Sequence, residues 1–166
     1  MEGMDWPDAR ISDREAEFIA ARDSFYMATV GDTRWPYVQY RGGPTGFLKV
    51  LDESTLAYAD FRGNLQYIST GNLSQDDRVA LFLMDYPNKK RLKIAARTEV
   101  FDIGDRPDLG QQLVVPGYKA KIERAFGVPR RGLRLELSAA HHSPTHRVGV
   151  GTDCTGLRDS DHGAET

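Results

Sequence analysis

The chemistry this sequence can offer is carried by basic side chains that stand beside glycines and strand ends. Arg41-Gly42-Gly43 closes one extended segment, Lys49 lies on the next, and Arg62-Gly63-Asn64 opens a helical one. Arg91 and Lys93 lie on a later strand. A phosphate needs fixed positive charge and free backbone amides, and a helix start supplies the amides. Glycine lets the backbone come close, and an arginine can hold two phosphate oxygens at once. Each element has a plainer reading: RGG as a turn, and alternating Arg and Lys as the solvated face of a strand. No Walker motif and no GxGxxG is present, so P-loop and Rossmann readings lack their mechanism. Acid–base machinery is sparse. Residues 1–126 contain neither His nor Cys, no Ser lies in a GxSxG elbow, and Asp52-Glu53 and Asp76-Asp77 read as turn pairs. Chemistry on such a chain would be borrowed from a cofactor.

These side chains must be positioned by short strands. The 166 residues suffice for one domain with a core, and 40% hydrophobic with 28% charged residues is a globular profile. A net charge of −2 gives no pull toward nucleic acid or anionic membrane. No apolar run reaches the roughly 20 residues of a membrane span. The acidic, polar start lacks the apolar stretch of a signal peptide, and Cys154 is the only cysteine, so a cytoplasmic protein is expected.

Residues 12–22 read as a helix opened by the capping box of Ser12 and Glu15. Strands are predicted at 24–30, 37–41, 46–51, 55–60, 78–84 and 91–101. Tyr37, Gln39 and Arg41 share one face of the second strand, and Val38 and Tyr40 the other. Segment 78–84, RVALFLM, reads as a strand buried on both faces. On the 91–101 strand, Leu92 and Ile94 face opposite Arg91 and Lys93. Residues 64–73, 106–114 and 118–126 read as helices, the last from a stripe of Tyr118, Ile122, Ala125 and Phe126.

The segments FIAARDSFYMATV, WPYVQYRGGPTGFLKVLDESTLAYADFRGNLQYISTGNL, DDRVALFLMDYP and RLKIAARTEVF resemble the pyridoxamine 5′-phosphate oxidase-related FMN-binding proteins, from about Phe18 to about Phe126. The resemblance implies a mainly β protein with peripheral helices: a six-stranded antiparallel FMN-binding split β-barrel. It also implies a homodimer with two FMN sites at its interface. It places Arg41 and Lys49 near the flavin and its phosphate, Arg62, Gly63 and Asn64 around the phosphate, and Gln39 near the ring. Gly42 and Gly43 belong to the same segment. Arg91 and Lys93 match a strand that reaches the cofactor from the partner chain.

Every aromatic residue, and every Met and Lys, lies at or before Phe126, whereas all four histidines and Cys154 lie after residue 140. Members of the resembled subgroup end in a segment like VEAFDWNCPQHITPR. Synonymous codons exist for Gly127–Val148 that, read with one base removed, encode AFRVEAFDWNCPQHITPRHTE. Residues 1–126 are therefore expected to be the barrel domain. Residues 127–166 are expected to be an atypical tail, out of frame and disordered from about 140, leaving a sheet edge unpaired and FMN binding weakened. LRLEL, residues 133–137, alternates like a strand and is the segment that could stand in. His141, His142, His146, Cys154 and His162 show no recognised zinc spacing, so no metal site is expected.

The leading expectation is a flavin-dependent oxidoreductase acting on a small molecule. The alternative is a non-catalytic FMN- or haem-binding split barrel. A nucleic-acid-binding small barrel would need a basic, aromatic-studded face, which the net charge disfavours.

Overall fold

The computed structural model describes residues 10–61, 67–119, 122–128 and 134–139. Helix α1 (Asp13–Ala20) starts where the sequence places it, with Ser12 and Glu15 exchanging the bonds of the capping box. It lays Phe18 and Ile19 on the core. Strands β1 (Ser24–Val30) and β2 (Pro36–Gly42) form a hairpin with Tyr26 opposite Tyr40. Strands β3 (Leu48–Asp52) and β4 (Thr55–Phe61) form a second. Helix α2 (Ile68–Leu73) follows, then β5 (Arg78–Asp85), β6 (Lys90–Arg97), β7 (Glu99–Asp102), α3 (Pro107–Leu113), β8 (Ile122–Val128) and β9 (Arg134–Ala139).

The strands build two antiparallel sheets. One is ordered β2-β1-β5-β6-β9 and the other β3-β4-β8-β7. The described residues thus hold nine strands, not the six expected. Part of the difference is a corner. The expected single strand 91–101 is broken at Thr98, so β6 stays in the five-stranded sheet and β7 joins the other. Thr98 is buried and donates its backbone N–H to Asp77 O and its hydroxyl to Gly127 O, each at 2.8 Å. Those bonds satisfy the backbone where the ladder stops.

The expected helix at 118–126 is instead strand β8, paired with β4 on one side and β7 on the other. Phe126 enters the main core, while Ala125 lies on the opposite face with Leu109 and Leu113 of α3. A strand covered on both faces has no alternation, so its apolar run mimics a helical stripe. The reverse error occurs at β5. Val79, Leu81 and Leu83 are buried, but Ala80 is exposed and Phe82 and Met84 only half-buried on the outer face. As expected, Leu92 and Ile94 of β6 are buried, away from Arg91 and Lys93.

Strand β9 pairs with β6 from Lys90–Ala139 to Ala95–Arg134, and Leu135 and Leu137 pack on the core. The edge of β6, expected to be bare, is covered by residues that follow the compositional break. The expected disorder from about 140 lies outside the described residues. Between the sheets Phe25 stacks on Phe47 with centroids 5.5 Å apart, and Tyr58 stacks on Phe126 at 4.8 Å. Burial of such rings dominates core energetics.

Candidate functional site

Strand β2 is an edge, and its alternation turns Gln39 and Arg41 toward the four-stranded sheet. Arg41 Nη1 donates to Asp60 Oδ1 of β4 at 2.7 Å, and Arg124 Nη2 of β8 donates to Asp60 Oδ2 at 2.8 Å. One carboxylate thus serves two guanidinium groups from opposite sides of the split between the sheets. All three side chains are largely buried, at 11%, 15% and 21% exposure for Arg41, Asp60 and Arg124. The Arg41 guanidinium also sits 5.2 Å from the Phe126 ring centroid and 5.9 Å from that of Tyr58, over aromatic faces that attract a cation. Among the described residues neither Arg41 Nε nor Arg124 Nε has a hydrogen-bond partner, although both are buried.

A cavity of about 300 Å³ opens beside this cluster. Gln39, Arg41, Asp60, Phe47, Tyr58 and Tyr118 supply its polar groups and rings. Gln39 Oε1 accepts from Ser69 Oγ at 2.8 Å, which ties the mouth of the cavity to α2. Asn72 of α2 donates to Thr29 Oγ1 at 3.0 Å and fixes that helix on β1. Burial pushes the Tyr58 phenol far above its ordinary range, and its hydroxyl points at Met27 Sδ, 3.2 Å away. Tyr58 is therefore a wall of the cavity and a neutral one, not a proton donor at physiological pH.

The residues predicted from sequence divide among several places. Gln39, Arg41 and Gly42 line this cavity together. Gly43 has a packing role: a Cβ there would fall 2.7 Å from the Phe47 ring, and its N–H bonds Asp23 O at 2.9 Å. Lys49 does not join Arg41. It is paired with Ala57, whose side chain is on the α3 face of the sheet, whereas Arg41 reaches Asp60 on the inner face. Strand period alone forces this, because neighbouring Leu48 takes the inward position. Arg91 and Lys93 lie on the outer face of the five-stranded sheet, opposite Met84 and Phe82, and Lys93 Nζ pairs with Glu136 at 3.2 Å. Arg62, Gly63 and Asn64 fall outside the described residues, as do His141, His142, His146, Cys154 and His162. Asp60, Ser69 and Arg124 escaped the sequence reading. Asp60 was legible from its place two residues beyond inward-facing Tyr58, but Arg124 was hidden by the helical reading of its strand.

Beyond this end of the barrel, Arg22 Nη2 pairs with Asp85 at 3.3 Å, and Asn88 Nδ2 donates to the same carboxylate at 3.0 Å. The Asn88 bonds, with Arg22 close by, hold the Asp85 carboxyl below its ordinary value of 3.8. A depressed acid stabilises the fold above that value and loses the contribution as pH falls through its lower folded value. Asp85→Asn is thus expected to lower the melting temperature at neutral pH, with the gap from the parent closing below about pH 4. Melting curves at pH 7 and pH 3 would check this.

The family model described as pyridoxamine 5′-phosphate oxidase matches residues 11–137, which takes in every described element except the last residues of β9. The chain belongs to the pyridoxamine 5′-phosphate oxidase family. Its mainly β architecture, with two antiparallel sheets, is that family's split barrel. Solved structures agree on the fold. A point variant of HupZ from Group A Streptococcus superimposes with a TM-score of 0.56 at 10% identity, over 77% of this chain and 99% of that one. Protein Rv2991 of Mycobacterium tuberculosis gives 0.54 at 17% identity, over 87% and 96%. A general stress protein 26-related protein of the pyridoxine-phosphate oxidase family from Clostridium acetobutylicum gives 0.53 at 10%, over 76% and 92%. No curated protein matches the chain. In the described part of this family member, no helix is long and apolar enough to cross a membrane, and no three His, Cys, Asp or Glu side chains converge as a metal site.

Proposed function

We propose that this member of the pyridoxamine 5′-phosphate oxidase family binds FMN in the cavity beside Arg41 and acts in the cytoplasm as a flavin-dependent oxidoreductase on a small molecule. The observation that carries the reading is the buried Arg41–Asp60 pair on the wall of a cavity that Gln39, Phe47 and Tyr58 also line. Its donor set suits FMN: a guanidinium for a phosphate, a carboxamide for the polar edge of the flavin, and rings for its flat faces. When bound, the flavin supplies two-electron chemistry. The chain's part is to grip the anionic end, orient the ring through Gln39, and exclude water with Phe47 and Tyr58.

A cavity of about 300 Å³ lies at the low end of ligand sites, which run from roughly 300 to 1,000 Å³. That supports completion by a second copy of the chain. The outer face of the five-stranded sheet carries apolar surface suited to it: Val38 is 59% exposed and Tyr40 60%, beside Tyr26, Phe82 and Met84. In our reading a two-fold axis runs along the strands between β1 and β5. Face-to-face packing about that axis sets β2 of one copy across from β6 of the other. Arg91 and Lys93 of the partner copy would then approach the edge that holds Gln39 and Arg41.

Two measurements test the reading. The purified protein is expected to be yellow, to hold one flavin per chain and to sediment as a dimer. Val38→Asp, at an exposed position, is expected to keep the fold but give a monomer with weakened flavin retention. A colourless monomer unaffected by this substitution would refute the reading. Flavin binding without turnover of reduced nicotinamide or pyridoxamine phosphate would leave the non-catalytic alternative. We further hold that residues 127–166 are out of frame, so a frame-restored chain is expected to bind FMN more tightly. A single intact frame in independently cloned copies would oppose this.

A further inference from the structure

Tyr40 pairs with Tyr26 across the β1–β2 hairpin, and strand alternation puts both on the outer face of the five-stranded sheet. Their rings meet edge to face with centroids 5.7 Å apart, a common geometry for a cross-strand aromatic pair. Gly42 makes room for this. A Cβ there would fall 3.0 Å from a Tyr40 ring carbon and 3.1 Å from its hydroxyl. The Tyr40 ring can therefore lie along β2 over Gly42. There it borders two cavities at once: the one that Gln39 and Arg41 line, and a second of about 280 Å³.

Tyr26 and Tyr86 line that second cavity with Tyr40, beside Phe82 and Met84. Tyr86 stands directly after β5, in a turn that the Lys89 N–H closes onto Tyr86 O at 3.2 Å. Hydrogen bonding with the Tyr86 phenol raises Tyr26 above its ordinary value of 10, so Tyr26 is a neutral phenol at physiological pH. Tyr86 itself is 68% exposed. Three phenols thus stand in series, from the wall of the Gln39–Arg41 cavity to water at a turn. Tyr58, on another wall of that cavity, is sealed in the core against Met27 and has no such exit.

We propose that Tyr40, Tyr26 and Tyr86 form a relay that carries one-electron oxidising equivalents from the cavity to the surface. Resting on the FMN reading, the proposal takes photoexcited flavin as the oxidant. The flavin gains one electron from Tyr40, whose phenol gives up its proton. Tyr26 then returns an electron and a proton to Tyr40, and Tyr86 does the same for Tyr26. The net change is one electron gained by the flavin, and one electron and one proton lost from Tyr86, the proton passing to water. A soluble thiol restores Tyr86 by giving it a hydrogen atom, and two of the resulting thiyl radicals couple as a disulfide. Phenylalanine cannot serve at any of the three positions, because it has no O–H to lose.

The test illuminates the FMN-loaded full chain with blue light, without oxygen and with a nitroso radical trap, and locates the adducts by peptide mass spectrometry. The parent is expected to carry the adduct on Tyr86. Tyr26→Phe breaks the middle of the series without touching the flavin cavity. It is expected to lose most of the Tyr86 adduct and to accumulate it on Tyr40. Tyr86→Phe is expected to move the adduct back to Tyr26 and Tyr40. A Tyr86 adduct unchanged in Tyr26→Phe, or parent adducts confined to Tyr40 or Tyr118, would overturn the relay. If the parent holds no flavin, the FMN reading fails, and a ruthenium polypyridyl photo-oxidant in solution then decides. A several-fold rise of the Tyr40 adduct in Tyr86→Phe over the parent supports the relay; an equal yield overturns it.

Discussion

Asp60→Ala is expected to lower the unfolding free energy by about 3–5 kcal/mol, the usual result of removing one partner from a buried ion pair. Arg41 and Arg124 both depend on this carboxylate, at 2.7 and 2.8 Å, and neither is more than 21% exposed. Without it two like charges face each other with little water to screen them. Added salt should recover little of the loss, because buried charges are poorly screened. The triple change Arg41→Met, Asp60→Leu, Arg124→Met removes all three charges. It should regain most of the stability, since replacing a whole buried cluster with apolar groups is often neutral or better. Urea unfolding of the parent, the single variant and the triple variant checks both statements. The triple variant should also lose flavin binding, which would separate the cluster's ligand role from its effect on folding.

A second large effect is expected at Phe126. This ring is fully buried, stacks on Tyr58 at 4.8 Å and lies under the Arg41 guanidinium. Phe126→Ala should cost about 3–5 kcal/mol through lost burial and the cavity left behind. Phe126→Leu keeps much of the volume and should cost less, about 1–2 kcal/mol, though it deprives Arg41 of an aromatic face. Denaturant unfolding of both variants would check this ordering. Equal losses would show that volume does not govern the site.

The parts of the fold legible in the sequence were those with a local cause. The Ser12–Glu15 box set the start of α1, and the β1–β2 hairpin followed from alternation on either side of a polar loop. That alternation also placed Gln39 and Arg41 on one face. What failed was whatever depended on pairing across the sheets. Apolar runs read as burial on both faces at β5, where one face is open, and as a helix at β8, where both faces are covered. The break at Thr98 could not be read from 91–101, because its hydroxyl partner, Gly127, is 29 residues away.

The site was partly visible for the same reason. Arg41 could be found because it closes its strand beside two glycines, on the same face as Gln39. Asp60 and Arg124, which give Arg41 its meaning, come from two other strands. Lys49 has the right chemistry and neighbourhood in sequence, yet a one-residue alternation puts it on the far face. Arg91 and Lys93 lie on the outer face, where only a second copy could bring them to the cavity.

The central claim is that an anionic flavin is gripped where Arg41 bridges the two sheets. Its most direct test is an FMN titration of the parent chain beside Arg41→Gln, followed by quenching of flavin fluorescence. Saturable binding at one flavin per chain, weakened about tenfold or more by the substitution, is the predicted result. No saturable binding, or identical curves for the two proteins, would contradict it.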